Sequence, residues 1–246
     1  MSTRGAAVEG ATFRDRAVYL ERAGALVLAD THLGRDQRSN VQLRLGEDRD
    51  ITQRVVALLE RFEPDELVVG GDLLHSFQGV PRGVRESLRD LQRAVEDAAA
   101  RVVVTPGNHD TMLGELWDGP TADAHRLTDG DREVVVLHGH EPPAVDGDDP
   151  ADPDLYVVGH DHPTIEIEGQ RRPCYLHGRG CYRGADLLML PPFTRLAAGT
   201  PVNGMSTADF MSPLVTDADL LRPLVHDEAA AETLAFPPLG RFRELL

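Results

Sequence analysis

Five times in this chain an apolar run ends abruptly in Gly, Asp, Asn or His, and this punctuation constrains the fold more than any other feature. Ala25–Ala29 runs into Asp30-Thr31-His32, and Leu67–Val69 into Gly70-Gly71-Asp72. Val102–Val104 leads through Thr105-Pro106 into Gly107-Asn108-His109-Asp110. Val134–Leu137 leads to His138-Gly139-His140, and Leu155–Val158 to Gly159-His160-Asp161-His162. Short unbroken apolar runs are what strands buried on both faces require. Polar side chains delivered at such strand ends lie where open α/β sheets bind ligands.

Between the first three runs the pattern turns helical. Asp50–Phe62 carries apolar residues at 51, 55, 58, 59 and 62 and is closed by Pro64. Arg82–Ala100 places Val84, Leu88, Leu91 and Val95 on one stripe, predicting a second helix. A hairpin is expected around Thr12–Leu20, after a frayed start. Beyond residue 133 helical periodicity fades, and Glu133–Leu137, Leu155–Val158, Thr164–Glu168, Pro173–Leu176 and Asp186–Leu190 predict a second, more antiparallel sheet. Residues 34–49, 73–81 and 112–130 read as loops, and 141–154 as an exposed, acidic, proline-rich connection. Residues 204–238 offer at most short helical turns, at Thr207–Ser212 and Asp217–Leu221, cut by Pro213 and Pro223.

The side chains at the strand ends are those that hold divalent cations: carboxylates, an amide oxygen and imidazoles. Asp30 and His32, two apart at a strand end, would share a face in extended backbone, as would His160 and His162. Asp72 follows two glycines that let the backbone turn sharply, and it is the natural bridging carboxylate. Asn108 and His138 complete the expected ligands, while His109 is free to face a leaving group with Asp110 orienting its ring. His75, three residues past Asp72, is a further imidazole beside the metals, and His140 is second-shell or substrate-facing. His125, His177 and His226 carry no chemical argument.

Composition narrows the setting. At 246 residues the chain fits one large domain or two small ones. Its formal net charge is -16, and every basic side chain is Arg. Such lysine-free acidity resembles the proteins of salt-loving archaea and predicts folding and activity that improve toward molar KCl, where like-charge repulsion is screened. It argues against nonspecific nucleic-acid binding through a basic surface, leaving Arg171-Arg172 and Arg179/Arg183 as local clusters. Two cysteines exclude a disulfide framework and a four-thiolate zinc site, and Cys174 is expected as a small buried hydrophobe. No signal-peptide pattern opens the chain and no run approaches membrane-spanning length, so a soluble cytoplasmic protein is expected.

On these motifs, over roughly residues 25–180, the chain resembles the calcineurin-like metallophosphoesterases: Asp-x-His, Gly-Asp, Gly-Asn-His-Asp, His and Gly-His-x-His are all matched. The resemblance implies a four-layer αββα sandwich with two facing mixed β-sheets. It also implies two divalent ions, with Mn²⁺ favoured over Fe, Zn, Ni or Co. Asp30, His32, Asp72 and His162 would hold one, and Asp72, Asn108, His138 and His160 the other. His109 would face the scissile phosphate with Asp110 behind it, and His75 would join the catalytic group. The implied reaction is phosphoester hydrolysis by a metal-activated hydroxide, with a nucleic acid (DNA or RNA) or a nucleotide as phosphodiester substrate. A phosphomonoesterase is the alternative within enzymes, and a scaffold subunit the alternative outside them, although such relatives have replaced ligands and none is replaced here. A narrower similarity joins Gly71-Asp72-Leu73-Leu74-His75 to the SbcD-like recombination nucleases and to a compact archaeal and bacterial group found beside DNA ligases or helicases. The His-Gly-His-x-Pro stretch at 138–142 and Leu-Pro-Pro-Phe at 190–193 favour the compact group. A metallophosphoesterase domain over 1–203 is therefore expected. A C-terminal extension over 204–246 would follow, as a lid, a tail or an interface in a homodimer.

Overall fold

The structure, a computed structural model, describes residues 8–35, 46–75, 83–144 and 153–244. The frayed start and much of the loops expected over 34–49, 73–81 and 141–154 lie outside these residues.

Five strands form the first sheet: β1 (Ala11–Arg14), β2 (Ala17–Leu20), β3 (Ala25–Leu28), β4 (Glu66–Val69) and β5 (Arg101–Val104), in that order across it. The expected hairpin joins β1 to β2 through Asp15 and Arg16, both at positive φ, the geometry whose twist suits a two-residue turn. β3, β4 and β5 are parallel, each linked to the next by a helix, α1 (Glu47–Phe62) and α2 (Val84–Asp97). Period-two alternation decides what each strand face meets. Leu26, Leu28, Leu67 and Val69 pack against Ile51, Val55, Leu88 and Leu91 of the helices. Ala25, Val27 and Val68 face the opposite way, onto the second sheet. α1 begins at Glu47 rather than Asp50, since Glu47, Asp48 and Asp50 all favour the positive end of a helix dipole.

The second sheet has seven strands in the order β15-β14-β11-β12-β8-β7-β6. They are β6 (His125–Asp129), β7 (Arg132–Val136), β8 (Leu155–Val158), β11 (Tyr175–Tyr182), β12 (Ala185–Met189), β14 (Arg222–Asp227) and β15 (Glu232–Ala235). β7 and β12 run parallel to β8, and the other pairings are antiparallel. Val134, Val136, Leu155, Val157 and Leu188 meet the inner face of the first sheet, so the two mixed sheets face one another as expected. Over the outer face lie a small sheet of β9 (Pro163–Ile167), β10 (Gln170–Pro173) and β13 (Thr200–Pro201), two 3-10 turns, and the short helix α4 (Leu239–Arg243). This outermost layer is thinner than the one built by α1 and α2. No helix among the described residues is long and apolar enough to cross a membrane.

Three expectations are corrected. Residues 112–130 hold a short helix, α3 (Leu113–Leu116), and β6, where a loop was expected. Pro173–Leu176 is not one strand, because the chain changes sheets at Cys174: Pro173 pairs with Thr164 and Tyr175 with Leu224. Residues 222–235, expected without strands, supply β14 and β15. Pro223 is the second residue of β14, near the strand start where a missing N–H donor is best tolerated, and its carbonyl accepts the Phe236 N–H.

Candidate metal centre

All five motifs leave the carboxyl ends of parallel strands, β3, β4 and β5 in one sheet and β7 and β8 in the other. The sheets face each other, so these ends share one edge of the sandwich. Pairing persists past β3 and β4. Asp30 N–H donates to Gly71 O at 3.0 Å, His32 N–H to Asp72 O at 2.9 Å and His75 N–H to Leu33 O at 3.0 Å. Asp30-Thr31-His32 is thereby held alongside Gly71–His75.

The extended backbone assumed for Asp-x-His and His-x-His is not what brings their side chains together. Asp30, His32, Asp72, His160 and His162 have φ of 57°, 50°, 50°, 76° and 52°, the left-handed region that side chains other than glycine rarely adopt. Such conformations cost about 1–3 kcal/mol each and cluster at functional sites. Close approach is also needed. A Cβ on Gly71 would lie 2.2 Å from His138 Nδ1, and one on Gly107 would lie 2.2 Å from Asp72 Oδ1.

Two donor clusters result, sharing Asp72. In the first, His32 Nε2 and His162 Nε2 are 3.2 Å apart and Asp30 Oδ1 is 3.2 Å from His162 Nε2. Asp72 Oδ2 approaches the same cluster, 3.8 Å from His32 Nε2. In the second, His138 Nε2 lies 3.1 Å from Asn108 Oδ1, 3.2 Å from His160 Nδ1 and 3.6 Å from Asp72 Oδ1. Each carboxylate oxygen of Asp72 thus faces its own set of nitrogen and oxygen donors. Asp30, Asp72 and His138 are buried almost completely.

Electrostatics favours cation binding here. Burial pushes the Asp72 carboxyl up to about 8, with Asp30 adding to the rise. Burial also acts to raise Asp30, yet His162, His138 and His32 pull it to about 2. Burial holds His32 down at about 2 and His138 at about 4, so both rings are neutral at pH 7 and keep a nitrogen lone pair. Without metal, Asp30 is anionic and Asp72 holds a proton at pH 7; among neutral imidazoles and with no arginine contact among the described residues, divalent cations would displace that proton and supply the missing countercharge.

The remaining predicted residues gather around these clusters. His109 donates its backbone N–H to Asp72 Oδ1 at 2.9 Å, and its ring lies 5.0 Å from that of His32. His75 stacks on His109, centroids 5.2 Å apart and planes 17° from parallel, and meets His32 edge-on at 5.3 Å. His140 lies against His138 and His160, at 5.1 and 6.0 Å. Asp110 accepts backbone N–H groups of Leu74 at 2.8 Å, Gly107 at 2.9 Å and Leu73 at 3.2 Å, so its carboxylate ties the third motif to the loop after Asp72. His125 is occupied elsewhere, 2.8 Å from Glu66.

Two supports escaped the sequence. Asp161 accepts N–H groups of Met211 at 2.7 Å and Ser212 at 3.0 Å, anchoring the loop that carries His160 and His162. Residues 190–195 form a strap between the sheets: Leu190 N–H donates to Val158 O, Phe193 N–H to Ala29 O and Thr194 N–H to Asp30 O. Arg54 locks the strap, donating to Phe193 O at 2.7 Å and to Asp15 Oδ2 at 2.7 Å while lying over the Phe193 ring. The Leu-Pro-Pro-Phe motif was visible, but nothing local to it revealed partners more than a hundred residues away.

A two-sheet α/β sandwich with a His- and Asp-rich centre at the strand ends is the class these features define. Residues 25–129 match the family described as calcineurin-like phosphoesterase. No curated protein matches it. Among solved structures it is similar to the nuclease MPE of Pseudomonas putida, at 22% identity and TM-score 0.56, over 90% of this chain and 92% of that one. It is also similar to YfcE, a phosphoesterase from E. coli, at 17% identity and TM-score 0.42, over 82% and 87%. At these identities the first likeness speaks to the fold alone, and the second carries no weight.

Proposed function

We propose that this protein is a two-metal phosphoester hydrolase acting on phosphodiesters of nucleic acid or nucleotides. The observation that carries the reading is the division of donors around Asp72. One carboxylate oxygen faces His32, with Asp30 and His162 beside it, and the other faces His138, with Asn108 and His160. Mn²⁺ suits this mixed oxygen and nitrogen set. Divalent ions bound here would neutralise charge on phosphoryl oxygens and lower the pKa of coordinated water.

The chain's own part is positioning and hydrogen bonding. Asp30, Asp72 and the four imidazoles would fix the ions, and Asn108 adds a neutral oxygen. Burial, with His75 and His162, holds His109 down at about 4, so its ring is neutral at pH 7 in the substrate-free site. Only the anionic field of a bound phosphoryl group would raise it enough to give a proton to the leaving oxygen. His75 stacks on His109, and a ring nitrogen of each lies within 4.8 Å of one on His32, beside the first donor cluster. His75 would supply a second imidazole for the ester side of the substrate, which favours a diester over a monoester.

Hydrolysis of a phosphomonoester, a small phosphodiester and single- and double-stranded DNA, in high KCl with Mn²⁺, tests this. Diester or DNA cleavage that Asp72→Ala abolishes supports it. Monoester-only turnover replaces it with a phosphatase, and bound metal without turnover replaces it with a scaffold.

A further inference from the structure

His32 is the pivot of two different donor sets. With Asp30 and His162 it offers the mixed set of the first cluster. With His75 and His109 it offers a second set, three imidazoles with one ring nitrogen each, all within 4.8 Å of one another. His75 and His109 stack 17° from parallel, and His32 meets them edge-on, at 86° and 79°. The backbone holds this arrangement in place. Leu33 and Leu74 form a parallel bridge, and the His75 N–H donates to Leu33 O at 3.0 Å, so His75 is carried beside the first motif. His109 is tied to Asp72 Oδ1 by its own backbone N–H.

The two sets differ in chemistry. The first brings the Asp30 carboxylate and suits an ion that favours oxygen, such as Mn²⁺. The second is all nitrogen. Zn²⁺ binds imidazole at about 2.0–2.1 Å and takes three histidines with a fourth ligand in a tetrahedron. Neighbouring donors in such a tetrahedron are about 3.4 Å apart, so the rings need only a small inward movement. Asp72 Oδ2 is at hand as the fourth ligand, 3.8 Å from His32 Nε2 and 3.9 Å from His109 Nε2. His32 and Asp72 Oδ2 also serve the first cluster, so an ion in one position keeps an ion out of the other.

We propose that His32, His75 and His109 form an alternative cation position, selective for Zn²⁺, whose occupation empties the first donor cluster and takes up both imidazoles on the ester side of the substrate. Zinc binding there does not depend on the phosphoester reading; the inhibition that follows from it does. The position sorts divalent ions. Mn²⁺ settles beside Asp30, while Zn²⁺, which binds a given set of nitrogen and oxygen donors more tightly, is diverted to a place where it blocks turnover.

The test titrates zinc chloride into full-length protein loaded with Mn²⁺, comparing wild type with His75→Ala. Released Mn²⁺ is followed by electron paramagnetic resonance, zinc affinity by calorimetry and folding by melting temperature. Wild type is expected to take up one tight equivalent of Zn²⁺, release one of Mn²⁺ and lose hydrolysis in step. His75→Ala is expected to bind Mn²⁺ as wild type does, but that zinc at least about 10-fold more weakly, since losing even a hydrogen-bond partner of a ligand costs that much. Equal zinc affinity in the two proteins overturns the proposal, because zinc then merely replaces Mn²⁺ beside Asp30. Equal losses of Mn²⁺ and Zn²⁺ affinity in the variant overturn it as well, by making His75 a general support. X-ray absorption of wild type at one zinc equivalent decides without a variant: three imidazoles are predicted, and two with carboxylate oxygens would refute it. Zinc bound through His75 with undiminished hydrolysis overturns the blocking role. Zinc bound there in a protein that hydrolyses no ester leaves the position standing and removes the hydrolase reading.

Discussion

Gly71 and Gly184 share nearly the same backbone conformation, with φ of 85° and 86°, and differ in what surrounds them. A Cβ at Gly184, in the turn between β11 and β12, would meet nothing within 4 Å. A Cβ at Gly71 would lie 2.2 Å from His138 Nδ1 and 2.5 Å from its Cβ. Those atoms are near the root of the side chain, so the ring cannot swing clear without leaving Gly70 O, 3.3 Å from its Nδ1. Alanine at either position costs about 1–2 kcal/mol for the left-handed backbone. At Gly71 overpacking adds about 1–3 kcal/mol. For a chain of this size each kcal/mol lowers the melting temperature by about 2–4 °C. Gly184→Ala should therefore melt a few degrees lower, with unchanged metal content and hydrolysis. Gly71→Ala should melt lower still, and should lose metal and most activity because His138 is displaced. Thermal denaturation and metal analysis of both variants suffice. Equal melting shifts with equal metal content would refute the argument that His138 requires glycine at 71.

Other outcomes follow from the same geometry. Arg54→Met should cost about 3 kcal/mol in urea denaturation, as breaking a buried ion pair does, and weaken Mn²⁺ binding by loosening the strap beside Asp30. Asp161→Asn should leave the core intact yet reduce metal affinity, because Met211 and Ser212 no longer meet a charged acceptor; a Mn²⁺ titration checks it. Metal-free protein should lose stability as pH rises from 6.5 to 8. Over that range an unfolded Asp72 is ionised, while the folded carboxyl, raised to about 8, keeps its proton. The slope should be on the order of 1 kcal/mol per pH unit, and either Mn²⁺ or Asp72→Asn should abolish it in denaturation series across pH.

The candidate site was legible because each of its motifs is local. Asp30 and His32 are two residues apart and follow an apolar run, and the same holds for His160 and His162. Helices α1 and α2 were legible because Ile51, Val55 and Leu58, and Leu88, Leu91 and Val95, recur at helical spacing. What escaped depends on distant partners or on backbone shape. β14 was hidden by Pro223, which has no N–H to give a sheet and is fitted only near the start of the strand. Asp161 showed no role until Met211 and Ser212 were placed against it. The left-handed conformations of Asp30, His32, His160 and His162 could not be read either, since Asp and His, though enriched there, adopt positive φ only in a minority of positions. The side chains converge all the same, by way of close backbone approach rather than strand pleating.

The central claim is that Asp72 joins two separate cation sites. Calorimetric titration of Mn²⁺ into chelator-stripped protein tests it most directly, with Asp72→Asn alongside. Two equivalents bound by wild type, with both sites weakened in the variant, is the predicted result. A single equivalent, or a variant that binds as wild type does, would contradict it.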